Sequence, residues 1–311
     1  MSEPELVPES SPRPCPLCGD KRQGLAFRKS GFDFRRCRRC GFLSVNPPPT
    51  AACLRALYDG WAAEYTSSRR LEGGEAVSYD RLLSDLERWR GEGGRRLLDV
   101  GANVGLFLAA ARRRGWEVSG IEPSTGAARL ASERLGIKVL PCGIEEAELP
   151  AAGFDVVTMH AVLEHLLDPV GALRKAAGWL RPGGCLYVSV PNLAGLSFRL
   201  FGRRYPYVHP THISYFTSGT LRAALAASGL APLEIRTGYT SLGLLVETAR
   251  ATLARRQADT QAAFAGEARV VGAVRRRPFL APVRLAGRAV VRGAAAVGMG
   301  DVLEAFARAG R

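Results

Sequence analysis

A glycine turn set between a short apolar run and an alanine-rich segment does most to limit what this chain can become. Residues 97–108 read LLDVGANVGLFL. The apolar run ends in Asp99, the turn follows at once as Gly101-Ala102-Asn103-Val104-Gly105, and an apolar segment then continues to Arg114. The order is strand, tight turn, helix. Glycine lets a ligand approach the backbone closely, and a helix N-terminus favours a carboxylate. A second acidic residue, Glu122, ends the next apolar run, WEVSGIE. It lies about 20 residues past the turn, the spacing at which a carboxylate meets ribose hydroxyls in nucleotide-binding α/β folds.

The pattern continues downstream. Residues 116–121 read as a second strand, 124–136 as a helix, and Lys138 to Cys142 as a short third strand. FDVVTM, Phe154 to Met159, is a buried strand. Asp168 caps a helix that begins at Pro169, and Arg181-Pro182-Gly183-Gly184 stops it. Leu186 to Val190 is a fifth strand, Ser218 to Ser228 a helix with Gly229 just past its end, and Leu233 to Tyr239 a sixth strand. Strands alternating with helices of this length imply a parallel sheet covered on both faces.

The turn does not fit the dinucleotide fingerprint G-x-G-x-x-G. It has an acidic residue, a glycine two positions on, and another glycine four positions after that. This resembles motif I of the class I S-adenosylmethionine-dependent methyltransferases, with Asn103 where the family usually carries glycine. Asn tolerates positive φ better than most residues. The segments FDVVTMHAVLEHLLDP, LRPGGCLYVSVPN and HPTHISYFTSGTLRAALAASGL are similar to the matching stretches of the branch that includes quinone-biosynthesis O-methyltransferases. The resemblance covers roughly residues 75–245. It implies a Rossmann-like, mostly parallel α/β sheet with an antiparallel last strand, for which Asp301 to Arg308 is the candidate. It also implies that S-adenosylmethionine is held by Asp99, Gly101, Asn103, Gly105 and Glu122, with an adenine contact from Ile144. Residues 241–297 then form a basic helical insertion, and 298–311 carry the last strand.

Cys15-Pro16-Leu17-Cys18-Gly19 and Cys37-Arg38-Arg39-Cys40-Gly41 form two C-x-x-C-G knuckles with 18 residues between them. Each pair puts two thiolates on one side of a tight turn, and four thiolates complete a closed, structural zinc site. Two disulfides are the weaker reading, because the sequence shows no signal peptide or long apolar run and the chain is expected in the cytosol. The domain plan is a zinc-ribbon-like module with a proline linker over 1–50, the methyltransferase body over 51–240, then the insertion and last strand. Asn46-Pro47-Pro48-Pro49 is read as the stiff linker leaving the module.

The net charge of +14 raises nucleic acid as a partner, but the basic excess sits before residue 61 and after residue 249 and leaves the body nearly neutral. Arg284, Arg288 and Arg292 recur every four residues, so a helix over 275–292 would meet either solvent or an anionic membrane or lipid-linked substrate. Arg35, Arg36, Arg38 and Arg39, with Phe32 and Phe34 nearby, are the features that favour an RNA-modifying alternative. Against it, the sequence after the fourth strand, Met159-His160-Ala161, offers no amide clamp for a base amine.

All four histidines map to the edge where such sheets bind ligands. His160 and His165 follow strand four, and His209 and His212 follow strand five beside Tyr205, Tyr207 and Tyr215. A hydroxyl acceptor needs a base near neutral pKa, which histidine supplies. His165 matches the Glu-His pair of the quinone branch and is the first choice, with His160 beside it. His209, His212 and Tyr215 make the acceptor pocket, while Tyr58 and Tyr65 close over the cofactor from the N-terminal side. The expected reaction is methyl transfer to a small molecule, at oxygen, on a natural-product, glycan or lipid precursor.

Overall fold

Apolar runs with no polar alternation fill the middle of this chain, and in the computed structural model they form the interior strands of a seven-stranded sheet. The structure describes residues 6–56, 79–91, 94–238, 242–253, 289 and 293–310. The large sheet is built from β4 (Arg96–Val100), β5 (Glu117–Ile121), β6 (Val139–Leu140), β7 (Phe154–His160), β8 (Leu180–Pro191), β10 (Leu230–Gly238) and β11 (Val302–Ala309). Its order is β10-β11-β8-β7-β4-β5-β6. β4 pairs in parallel with both β5 and β7, and β7 with β8. β11 runs antiparallel to β8 and β10 and sits between them. The last strand of the chain thus enters the sheet rather than closing its edge, and Phe306, on β11, is fully buried there.

Helices cover both faces. α1 (Asp80–Trp89), α2 (Leu106–Arg113) and α3 (Thr125–Leu135) lie over one core, where Leu83, Leu86, Phe107 and Leu108 meet Leu97 and Val156. α4 (Pro169–Trp179) and α5 (Ser218–Ala227) cover the other, with Leu173, Leu221 and Leu225 against Leu98, Val157 and Val188. The local helix signals act as read: the Asp168 carboxylate accepts from Gly171 N–H at 2.8 Å, and Pro169 begins the helix. Arg181-Pro182-Gly183-Gly184 does stop α4, but β8 starts straight away at Leu180. A register shift between Phe154 and Val156 of β7 absorbs the turn residues inside the strand.

The sheet order places the change of winding direction between β4 and β7, the position at which open α/β sheets bind ligands beyond the carboxyl ends of their strands. The glycine turn leaves β4 there, and the segment from His160 to His165 leaves β7. The two loops touch so closely that a Cβ on Gly101 would lie 2.5 Å from Val162 Cγ2.

The four-cysteine segment forms a second sheet, β1 (Gln23–Lys29), β2 (Phe32–Cys37) and β3 (Leu43–Val45), and its fourth strand comes from far downstream. β9 (Ser214–Tyr215) pairs antiparallel with β3, Leu43 with Tyr215 and Ser44 with Ser214, and Val45 N–H donates to the Ile213 carbonyl at 2.9 Å. The Phe42 and Phe216 rings meet edge-on at 5.1 Å, and Cys15, Cys37 and Phe42 belong to the same core as Leu98 and Val157. The proline segment is equally fixed. Asn46 is 3% exposed and its side chain exchanges hydrogen bonds with Arg13 N and O, both at 2.8 Å. Pro48 O accepts from Glu9 N–H. It is packed structure where a spacer was expected, because Asn46 finds partners 33 residues away.

The β3–β9 ladder sets an expectation for Cys37→Ser. Amide hydrogen exchange should accelerate at Leu43–Val45 and Ile213–Tyr215, while β4 and β7, whose other face packs with Leu83 and Phe107 in a core that holds no residue of the cysteine module, stay protected. Equal loss of protection in both regions, or no change at Ile213–Tyr215, would contradict this coupling.

Candidate active site

The glycine turn is held by its own hydrogen bonds. Gly101 and Gly105 both take φ of +77, and Asn103 takes +49, the left-handed region that Asn tolerates. The N–H groups of Gly101 and Ala102 both donate to the Ile121 carbonyl, at 2.9 and 3.0 Å. Val104 N–H donates to the Asn103 side-chain oxygen at 2.7 Å, so Asn103 supplies an acceptor that glycine would lack.

Glu122 ties this turn to the end of β5. Its two carboxylate oxygens accept from Asn103 N–H and Ser124 N–H, both at 2.9 Å, and the residue is 8% exposed. A carboxylate has about four acceptor positions, which suits one that holds turn N–H groups to meet ligand hydroxyls as well. Asp99, 2% exposed at the end of β4, accepts from the Thr158 hydroxyl at 2.6 Å. Burial pushes its pKa up to about 7, and the charge of Glu122 adds to the rise. Ile144 is buried in the turn after β6. Two buried carboxylates beside a glycine turn fit a ligand that brings positive charge and vicinal hydroxyls, and S-adenosylmethionine has both. The glycines also have packing reasons of their own, since a Cβ on Gly105 would sit 3.0–3.1 Å from Leu135 and Ala131.

The histidines separate into two groups. His160 ends β7 inside an aromatic box, its ring centre 4.5 Å from Phe107, 5.0 Å from Tyr187 and 6.4 Å from Tyr79. Burial lowers its pKa to about 4. His165 instead faces the loop after β8. Its Nδ1 lies 2.8 Å from the Thr211 carbonyl, and its ring meets that of His212 at 4.7 Å and 79°. His212 Nδ1 lies 2.8 Å from the Tyr207 carbonyl. A carbonyl only accepts, so both Nδ1 atoms donate and both Nε2 atoms carry the lone pair. Burial also lowers the His165 pKa to about 4, with the Thr211 bond opposing it, so this imidazole is neutral across the physiological range and a weaker base than the near-neutral one expected from the sequence.

Glu164, beside His165, is the residue that sequence reading valued too little. It is 1% exposed, its Oε2 has no hydrogen-bond partner, and burial pushes its pKa up to about 8. Its adjacency to His165 was the only signal available for it. Tyr215, read as a pocket residue, has a different task. Its hydroxyl donates to the His209 carbonyl at 2.8 Å and accepts from His209 N–H at 3.0 Å, which folds the loop back on itself. His209 Nδ1 lies 3.1 Å from the Thr211 hydroxyl. Tyr58, Tyr65 and most of the basic segment 275–292, including Arg284, Arg288 and Arg292, lie outside the described residues.

The four cysteines converge. Cys15 Sγ and Cys40 Sγ are 3.6 Å apart, Cys18 Sγ and Cys37 Sγ 3.5 Å, and all four sulfurs fall within 4.8 Å of one another. A tetrahedron with bonds of about 2.3 Å has sulfur–sulfur edges near 3.8 Å. A disulfide needs about 2.05 Å. The geometry fits a four-thiolate metal. Gly19 and Gly41 follow the two knuckles with the same φ of +73, and their N–H groups close matching turns onto the Cys15 and Cys37 carbonyls. The arginine–phenylalanine pattern around the second knuckle does not form a stacking surface, because Phe32 and Phe34 are buried and Arg35 pairs with Asp33 at 2.9 Å. No helix among the described residues is long and apolar enough to cross a membrane.

A family model described as a methyltransferase domain matches residues 74–235. The chain belongs to that family. With this membership it stands among the S-adenosylmethionine-dependent methyltransferases. It is 26% identical over 248 residues to the C-methyltransferase NovU of Streptomyces niveus, a match that covers 76% of this chain and 55% of NovU. It is 32% identical over 181 residues to a ubiquinone biosynthesis O-methyltransferase of Bordetella avium, covering 50% of this chain and 75% of that enzyme. A solved SAM-dependent methyltransferase from Archaeoglobus fulgidus shares the fold, with a TM-score of 0.51 at 18% identity over 79% of this chain and 99% of its own.

Glu122→Ala should weaken S-adenosylmethionine binding, because it frees two turn N–H groups as well as removing an acceptor for the ribose. Bonds to a charged group contribute roughly 1.5–3 kcal/mol each, so the expected loss is at least tenfold. Glu122→Gln should not rescue it, since one amide NH2 would face a backbone N–H. Calorimetry showing unchanged affinity in both variants would remove Glu122 from the donor site.

Proposed function

We propose that this protein transfers a methyl group from S-adenosylmethionine to a small-molecule acceptor, at oxygen, on a natural-product, glycan or lipid precursor. Glu122, Asp99 and the turn Gly101-Asn103-Gly105 hold the donor, and Ile144 packs on its adenine. The polar cluster of Glu164, His165 and His212 faces the acceptor, and Cys15, Cys18, Cys37 and Cys40 hold a structural zinc. The observation that carries this reading is the convergence of the turn after β4 with the His160–His165 segment after β7. Donor-holding groups thereby adjoin a site containing a buried acid and two neutral imidazoles.

The donor supplies a methyl group on a sulfonium, already reactive, so the protein's main contribution is alignment. Transfer breaks the sulfur–methyl bond, forms an oxygen–methyl bond and releases the acceptor's proton. His165 can receive that proton's hydrogen bond at Nε2, because Thr211 holds its Nδ1–H. The relatives named above carry C- and O-methyltransferase titles, which supports a small molecule and leaves the acceptor atom to the assay.

Two outcomes test the reading. The first concerns pH. With Asp99 near pKa 7 in the free protein, the cationic donor should favour its ionised form. Binding below about pH 7 should therefore release a proton, and affinity should rise with pH and level off above that point. Calorimetry in buffers of different ionisation enthalpy reads the release directly, and pH-independent binding with no proton exchange would exclude this role for Asp99. The second concerns turnover. In a labelled-methyl screen of phenols, nucleotide sugars and lipid-linked glycans, His165→Ala should lower the rate by roughly 10²–10⁴ with donor affinity intact. Normal turnover in that variant would refute the assignment.

A further inference from the structure

We propose that Glu164, His165 and His212 form a second metal site, separate from the four cysteines, that takes a divalent first-row ion such as zinc. One ligating atom from each of the three lies within 4.8 Å of the others. The proposal rests on the placement of the acceptor at this cluster, but not on methyl transfer itself.

Three independent features of the structure point the same way. The first is the unpartnered Oε2 of Glu164, an acceptor atom without a donor in a side chain that is 99% enclosed (1% exposed). An unsatisfied buried acceptor costs about 1–3 kcal/mol, and no Lys or Arg of the described residues forms an ion pair with this one. The second is the tautomer of both histidines. Each gives its Nδ1–H to a backbone carbonyl at 2.8 Å, Thr211 for His165 and Tyr207 for His212. That arrangement fixes ring orientation and presents Nε2, and it is how metal-ligating histidines are ordinarily held. The third is the mutual placement of the rings, whose centres lie 4.7 Å apart at 79°, close enough for one nitrogen of each to reach a shared point beside Glu164. Ligand atoms around an ion with bonds of about 2.1 Å sit about 3.4 Å apart, so the three side chains would draw in by an ångström or so on binding.

The donor set selects the ion. Two imidazoles with one carboxylate suit zinc and its first-row neighbours, whereas magnesium and calcium prefer oxygen throughout. Three protein ligands leave a coordination position open, unlike the closed four-thiolate cluster. A cation there would bind the acceptor's oxygen and ease loss of its proton. His165 would then act on the acceptor through the ion, and the loss of turnover expected for His165→Ala stands in either case.

Cobalt distinguishes the two sites. The untagged chain, purified with zinc in its cysteines, is titrated with Co²⁺ and followed by visible absorption. Cobalt on imidazole and carboxylate absorbs weakly, without the intense thiolate-to-metal band that cobalt in the cysteine cluster gives. One added equivalent with the nitrogen–oxygen spectrum is expected. Its affinity should fall roughly tenfold or more in both Glu164→Gln and His212→Gln, with S-adenosylmethionine binding in each variant as the check on folding. No cobalt uptake, uptake with only the thiolate spectrum, or nitrogen–oxygen cobalt indifferent to both substitutions would overturn the site. None of these readouts involves methyl transfer, so failure of the metal and failure of the methyltransferase reading are told apart.

Discussion

Two residues of backbone pairing fix where the loop after β8 stands. Ser214 and Tyr215 leave the loop after β8 to lie against Leu43 and Ser44. That short ladder is the fourth edge of the cysteine-bearing sheet, so the loop is fastened to a part of the chain about 170 residues earlier. Thr211 and His212 lie just before the paired residues. The Thr211 carbonyl orients His165, and the Tyr215 hydroxyl folds the loop through His209. Without the pairing, a loop of this length would pay its ordering entropy with little return. The cysteine module is thus tied directly to the loop that carries Thr211 and His212.

The features legible in the sequence were those whose cause is local. The glycine turn, the Asp168–Pro169 helix start and the left-handed Asn103 are fixed by residues within a few positions of themselves. The buried strands β4 and β7 were legible because their hydrophobic runs admit one environment. The strand at the end of the chain was legible through resemblance alone, since Ala, Leu and Glu at 302–305 favour helix by propensity. It becomes a strand because β8 and β10 offer open hydrogen-bonding edges on either side. The strands of the cysteine module and the β3–β9 pairing were not legible. Their partners are distant, and no periodicity in a two-residue strand announces them.

The histidines show the same limit at the level of chemistry. Sequence order puts all four at one edge of the sheet, and the structure keeps them there. Order along the chain does not say which side of a loop a ring faces. A five-residue step from His160 to His165 crosses from an aromatic box under α2 to the polar loop after β8. His160 becomes a core ring, with Tyr187 and Phe107 as neighbours. His165 becomes a polar group with a fixed tautomer. Glu164 was hidden for a related reason: an acid in a Glu-His pair reads as exposed until the surrounding atoms enclose it.

Buried and half-buried acids elsewhere in the molecule contrast with those at this edge. Asp155 pairs with Arg181 across the strand ends, and Asp85 and Glu304 share Arg236 at 2.6 and 2.8 Å. Asp301 accepts from Ser197 at the start of a helix. Asp155, Asp85 and Glu304 thus each have a cation within the fold, and Asp301 has the Ser197 hydrogen bonds. Asp99 and Glu164 do not form such ion pairs among the described residues, and both are pushed toward neutrality by burial. A fold under selection for stability alone would replace or pair them, because a buried carboxyl without a cation weakens it. On the proposed function and the proposed metal site, positive charge reaches them with a ligand: the sulfonium and ammonium of the donor for Asp99, and a metal ion for Glu164.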